Sequence, residues 1–248
     1  MSPERLSVDE LAAARRGRRR PRPTQFDYLH LRRLVHDLRD VIGRIESPVK
    51  DVLDVYCGCR PYEDLLPVGS RCVGLDIVGN PYGVADVTSN EFLPFDDESF
   101  DLVTCYEGFH YVEDPPRGAA EIGRVLRPGG TAIVTVPLVW EYDRRILEHR
   151  YTGPELAALF DDWDDVRVVE NGGAIVSWAT LTGTILERVR MSVPDLFGIG
   201  RLARAAFAPL FVALNLVAGG LDALHRRRSR SDLTLPMNLL LTARRPLA

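Results

Sequence analysis

The chain has 248 residues, 46% of them hydrophobic and 27% charged, with a formal net charge of −4. That length supports one good core, and the composition is ordinary for a soluble globular protein. The small negative charge offers no overall attraction to nucleic acid, and four cysteines without an apolar leader stretch predict reduced thiols in a cytoplasmic protein.

Residues 1–24 read as a basic, flexible N-terminal arm, because Arg15, Arg16, Arg18, Arg19, Arg20 and Arg22 crowd it and Pro21 and Pro23 stop any helix. Within it, Ser7 and Glu10 form a capping-box pattern ahead of a short helix from Leu11 to Arg16. Residues 25–248 read as one domain. Leu31, Leu34, Val35, Leu38, Val41, Ile42 and Ile45 recur at helical spacing and predict a helix over Phe26–Ile45.

Strands and helices then alternate. Val49–Tyr56, Arg71–Ile77, Tyr82–Asp86, Phe100–Tyr106, Thr131–Val136, Asp164–Glu170 and Met237–Ala243 predict seven strands. Tyr62–Leu66, Pro116–Leu126 and Pro154–Phe160 predict helices between them, and Arg127-Pro128-Gly129-Gly130 predicts a turn. The alternation argues for an α/β, Rossmann-like, doubly wound and mostly parallel sheet. About residues 174–235 break the rhythm with an apolar helical insert before the last strand.

Three acids fall at expected strand ends. In an open parallel sheet, ligands bind outside the carboxyl ends of the strands. Asp54 of Val52-Leu53-Asp54-Val55 could meet a ligand ammonium, and Gly58 lets backbone N–H groups approach closely. Asp76 of Gly74-Leu75-Asp76-Ile77 could accept from the two hydroxyls of a ribose, and Asp86 of Ala85-Asp86-Val87 from an exocyclic amino group. A Cys57-x-Cys59 pair is too sparse for a metal site.

The segment Val52–Gly58 resembles the first motif of the class I S-adenosylmethionine-dependent methyltransferases. Leu93–Val103 is similar to that family's approach to its fourth strand, and Glu121–Gly130 to its helix and turn before the fifth. The resemblance covers roughly residues 50–137 and implies S-adenosylmethionine as cofactor. It implies that Asp54, Tyr56, Cys57 and Gly58 hold the methionine part, Asp76 and Ile77 the ribose end, Asp86 and Val87 the adenine, and that Cys105 and Tyr106 border the methionyl end. The family usually has glycine where Tyr56 and Arg60 stand, so Tyr56 is expected to add bulk where the backbone should be bare.

For the acceptor, Glu107 and His110 follow the fourth strand, while Asp143 and His149 lie in a charged segment after the fifth. His110, Asp143 and His149 are the candidate catalytic residues, each suited by type to base work or to positioning a hydroxyl. The segment ending Arg150-Tyr151-Thr152 resembles one in bacterial glycan and natural-product methyltransferases, which implies a small-molecule or saccharide acceptor and O-methylation. A catalytically silent relative serving as a partner or scaffold subunit is the other expectation, motivated by Tyr56 and Arg60. Residues 201–224 offer a peripheral membrane contact or a homodimer face, and no nucleic-acid partner is expected.

Overall fold

The computed structural model describes residues 6–89, 93–194, 202, 204–228 and 234–247. Its centre is β1 (Asp51–Val55), a five-residue strand that buries Val52, Leu53 and Val55 and is flanked in parallel by β2 (Arg71–Asp76) and β4 (Phe100–Tyr106). β3 (Val87–Thr88) extends the sheet beyond β2, and β5 (Leu126–Pro137) runs parallel to β4 on the other side. The last strand, β7 (Asn238–Arg244), inserts antiparallel between β5 and β6 (Asp164–Asn171). The order is therefore β3-β2-β1-β4-β5-β7-β6, the expected seven-stranded, mostly parallel sheet.

Strand periodicity assigns neighbouring residues to opposite faces. Val52, Leu102, Ile133 and Leu240 meet α2 (Tyr28–Gly43) through Leu34 and Leu38. Leu53, Val103, Val134 and Leu241 meet the other layer, where α3 (Pro115–Val125) supplies Ile122 and α4 (Gly153–Ala158) supplies Leu156. The sheet is thus covered on both sides, and its carboxyl edge is left to the loops.

Two elements differ from the sequence expectation. The third strand begins after Asp86 rather than ending on it. Gly79 and Gly83 take left-handed φ values of 92° and 63°, and Asn80 Oδ1 accepts from Tyr82 N at 2.8 Å, so 79–83 turns instead of extending. Arg127–Gly130 also belongs to β5, where the ladder slips between Phe100 and Leu102 and Gly129 has φ 77°; the glycines make a bulge inside the strand.

The N-terminal segment is folded where a solvated arm was expected. Helix α1 (Val8–Arg19) starts on a complete Ser7–Glu10 capping box and lies across the loop after β1. Arg15 Nε donates to Cys59 O at 2.6 Å, Arg19 Nε meets Asp64 at 2.5 Å, and Leu6 N donates to Pro81 O at 3.2 Å. Among its described residues the insert includes α5 (Ala174–Ser192) and α6 (Ala208–Arg228), which pack on each other and on α2; Arg201 and Arg230 of its sequence lie outside the described residues.

Gly183 sets how closely α5 meets the chain before α2, since a Cβ there would stand 2.5 Å from Phe26 O. We expect Gly183→Ala to lower stability by about 1–3 kcal/mol through backbone displacement, read as a reduced Tm, although alanine is the better helix former.

Candidate active site

The loop after β1 keeps a glycine-type backbone with one glycine in it. Tyr56, Gly58 and Arg60 have φ values of 53°, 54° and 53°, the left-handed region that costs a non-glycine residue on the order of 1–2 kcal/mol. The two bulky side chains are packed away from the loop's backbone. Tyr56 lies against Gly108, where a Cβ would be 2.7 Å from the Tyr56 Cβ, and it packs on the core. Arg60 pairs with Asp86 at 2.7 Å and Glu63 at 2.9 Å and donates to Cys72 O at 3.0 Å. The bulk expected from Tyr56 is thus accommodated by the missing side chain at 108.

Asp76 ends β2 and is buried. Its Oδ2 accepts from Gly58 N at 2.7 Å and Asn80 Nδ2 at 2.6 Å, and its Oδ1 from Ile77 N at 2.8 Å. The Cys57 thiol also approaches Oδ2, at 4.0 Å, whereas Oδ1 has Ile77 N as its single donor among the described residues, so the position for a ligand hydroxyl is on Oδ1. Ile77 and Val78, directly after it, are exposed apolar residues at the sheet edge. Asp86 is elsewhere: it precedes β3, accepts from Gly74 N at 2.8 Å and is ion-paired to Arg60. Its carboxylate is committed to the middle of β2 rather than offered at a strand end, because the strand starts later than the apolar pattern indicated. Val87 pairs with Leu75 and packs against the core.

Asp54 also lies deeper than expected. It sits beside Gly74 and Thr104 in the ladder, one residue before the strand ends, and accepts from Thr104 Oγ1 at 2.9 Å. Burial pushes its carboxyl up to about 7, against the pull of the Thr104 hydrogen bond and the Arg60 charge. Cys57 and Cys105 are buried, Cys105 in the core, and burial raises both thiols. Tyr106 crosses edge-on to Tyr62 at 5.2 Å on the α2 side. Cys105 and Tyr106 therefore pack into the two core layers, with their backbone alone at the edge. Among the described residues no group of three or more His, Cys, Asp and Glu is arranged for a metal.

A cavity of about 380 Å³ opens beyond β4 and β5, lined among others by Arg18, Asp27, His30, Glu107, His110 and Trp140. Glu107 has φ 56°; its N–H donates to Thr135 Oγ1 at 2.9 Å and its carboxylate accepts from Asn238 Nδ2. Burial raises its pKa while Thr135, Arg18 and Asn238 oppose the rise. Burial, with Arg150 nearby, lowers His110 to about 4, so its imidazole is neutral near pH 7, and its Nδ1 has no hydrogen-bond partner. Arg18 lines the same space and makes no ion pair within 4.0 Å among the described residues. Cys59, Tyr62, Tyr82 and Glu107 lie close enough to favour its charged form, against the cost of desolvation.

Of the residues predicted after β5, only the backbone of His149 reaches this region, donating to His110 O at 2.8 Å. Its ring stacks near Tyr151 at 5.9 Å. Asp143 is a surface residue; its hydrogen bonds to Arg145 hold its carboxyl at about 2, which unsuits it to base work. Arg18 and Asn238 were missed because nothing local in the sequence links them to β4. The arginine density of the arm was visible, but the direction of one side chain was not.

The loop, the Asp76 carboxylate and the edge cavity lie within or beside the segment that resembled a known family. Residues 53–134 match the methyltransferase domain family. The chain is 30% identical to human arginine-hydroxylase NDUFAF5 over 155 residues, which is 53% of this chain and 42% of that protein. It is 43% identical to demethylmenaquinone methyltransferase of Clavibacter sepedonicus over 84 residues, 31% of this chain and 32% of the relative. It is 30% identical to the ubiquinone/menaquinone biosynthesis C-methyltransferase UbiE of Proteus mirabilis over 151 residues, 60% of this chain and 54% of the relative. The chain thus spans between about a third and a little over half of these relatives. The fold is shared with the [4+2]-cyclase SpnF (TM-score 0.52, 18% identity, 86% of this chain and 82% of the other). It is also shared with phosphoethanolamine N-methyltransferase 2 of Haemonchus contortus (TM-score 0.51, 16% identity, 85% and 52%).

The raised Asp54 carboxyl has a stability consequence. Between its ordinary value of 3.8 and about 7 the folded state binds more protons than the unfolded state, so this group's contribution falls as pH rises through that window. We expect Asp54→Asn to gain stability relative to the parent as pH rises from 5 to 8, by an amount on the order of a few kcal/mol, read as a growing difference in Tm. A constant difference across that range would show that Asp54 ionises normally.

Proposed function

We propose that this chain transfers a methyl group from S-adenosylmethionine to a small-molecule acceptor, with a hydroxyl, including a saccharide hydroxyl, as the nucleophile. The observation that carries this reading is the left-handed loop at Tyr56, Gly58 and Arg60, tied through Gly58 N to the buried Asp76 inside a segment matching a methyltransferase domain. The residues suit that cofactor. Asp76 keeps an acceptor position for a ribose hydroxyl, and the exposed Ile77 and Val78 give an apolar ledge for a purine. Arg18, which makes no ion pair among the described residues, offers a cation near the loop for a carboxylate.

When bound, the cofactor supplies an electrophilic methyl on a sulfonium, and the protein's work is alignment and proton management. Glu107, directly after β4, is the cavity carboxylate placed to take a hydroxyl proton, and burial raises its pKa, which makes it a stronger base. His110, neutral near pH 7, accepts a hydrogen bond and orients the acceptor. His149 supports the backbone of His110, and Asp143 takes no part. The matched relatives include a C-methyltransferase and a hydroxylase, so the choice of oxygen rests on Glu107.

Calorimetric titration with S-adenosylhomocysteine is the direct test. The parent protein is expected to bind, and Asp76→Ala to bind about 5- to 150-fold more weakly, the cost of about 1–3 kcal/mol for a buried charge-assisted hydrogen bond left unmade. No heat from a folded parent protein would favour the catalytically silent reading instead. On an acceptor that supports turnover, Glu107→Gln is expected to lower kcat about 10²- to 10⁴-fold while sparing cofactor affinity. An undiminished rate would remove Glu107 from the chemistry.

A further inference from the structure

Helices α5 and α6 carry apolar side chains on their outer sides and bury several polar ones. On α5 the buried side holds Ser177, Thr180 and Thr184 beside Val176, Ala179 and Gly183, whereas Trp178 and Ile185 on the outer side are 54% and 64% exposed. On α6 the buried stripe includes Asn215 and Asp222, whereas Leu210, Val217, Leu221 and Leu224 recur at helical spacing on the exposed side. A helix bordering water carries polar and charged residues on that outer side. The outer faces are therefore composed for an apolar phase.

Charge identifies that phase. Between residues 201 and 230 the sequence holds six arginines and a single acid, Asp222, although the whole chain has a net charge of −4. Arginine flanks with an apolar face between them match an anionic lipid surface. Ala208–His225 has the length and mean hydropathy (1.4) to cross a membrane. Yet Asn215 Nδ2 donates to Pro23 O and Gln25 O, each at 2.9 Å, and holds α6 against the domain. A helix tied down this way lies on a bilayer rather than through it.

Behind the pair is a second cavity, of about 610 Å³, whose lining includes the apolar Phe211 and Ala208 of α6 and the charged Glu187 and Arg190 of α5 and Arg204. It shares Gln25, Phe26 and Asp27 with the cavity that holds Glu107, so one short segment separates the two.

We propose that the outer face of α5 and α6 seats this protein on an anionic bilayer, and that the cavity behind it receives a lipid-borne acceptor. The second half rests on the methyl-transfer reading; the docking does not. The test is co-sedimentation of the full chain with vesicles of phosphatidylglycerol and phosphatidylcholine, against vesicles of phosphatidylcholine alone. Binding is expected to the mixed vesicles, weakened by salt. Val217→Asp with Leu221→Asp should lower partitioning at least about tenfold. Replacing Arg226, Arg227 and Arg228 by glutamine should lower it about a hundredfold on the anionic vesicles. Unchanged heat on titration with S-adenosylhomocysteine, or unchanged Tm if the parent gives none, would show that the variants fold. A folded parent that ignores anionic vesicles, or apolar-face variants that bind as well as it does, would overturn the proposal. So would a parent dimer that the same substitutions turn into a monomer, since a second copy would then be the cover.

Discussion

The Asp76 carboxylate organises the edge of the sheet. By accepting from Gly58 N, Ile77 N and Asn80 Nδ2 it fastens the loop after β1, its own strand end and the turn before β3 to a single buried anion. The loop needs that anchor because Tyr56 and Arg60 hold left-handed backbone without glycine's freedom. Two further interactions spread the cost. Tyr56 fills the space over Gly108, and Arg60 is neutralised by Glu63 and Asp86 beneath the loop. The backbone path is thus retained by packing and charge where glycine would have retained it by permissiveness.

Much of the sheet was legible because its signals are local. Val52-Leu53 and Leu102-Val103 are apolar runs buried on both faces, and alternation of strand and helix leaves few topologies. The third strand was not legible, because its two residues carry no pattern and the turn through Gly79 and Gly83 decides where it begins. Arg127–Gly130 misled for a related reason: Pro-Gly-Gly signals a turn, and here the same freedom makes a bulge within a longer strand.

The candidate site was legible at Asp76 and Gly58, which lie at strand ends that the sequence defines well. Asp86 was misplaced with its strand, and Asp143 reads as chemistry until Arg145 is seen beside it. Arg18 could not be found from the sequence, since its meaning depends on α1 crossing the sheet edge, a long-range contact made through Arg15 and Arg19. Shared fold with a cyclase and an N-methyltransferase adds nothing to the assignment of chemistry, which has to come from the groups lining the cavity.

Helix α1 has a double attachment. Arg15 caps the carbonyl of Cys59 in the loop after β1, while Ala14, Gly17 and Arg18 form part of the wall of the neighbouring cavity. One rigid element therefore borders two compartments. Where two ligands, one in each compartment, both bind with affinities that depend on the position of that helix, each changes the other's affinity by the same factor. Occupancy of the two spaces is then thermodynamically coupled through twelve residues that belong to neither strand nor loop.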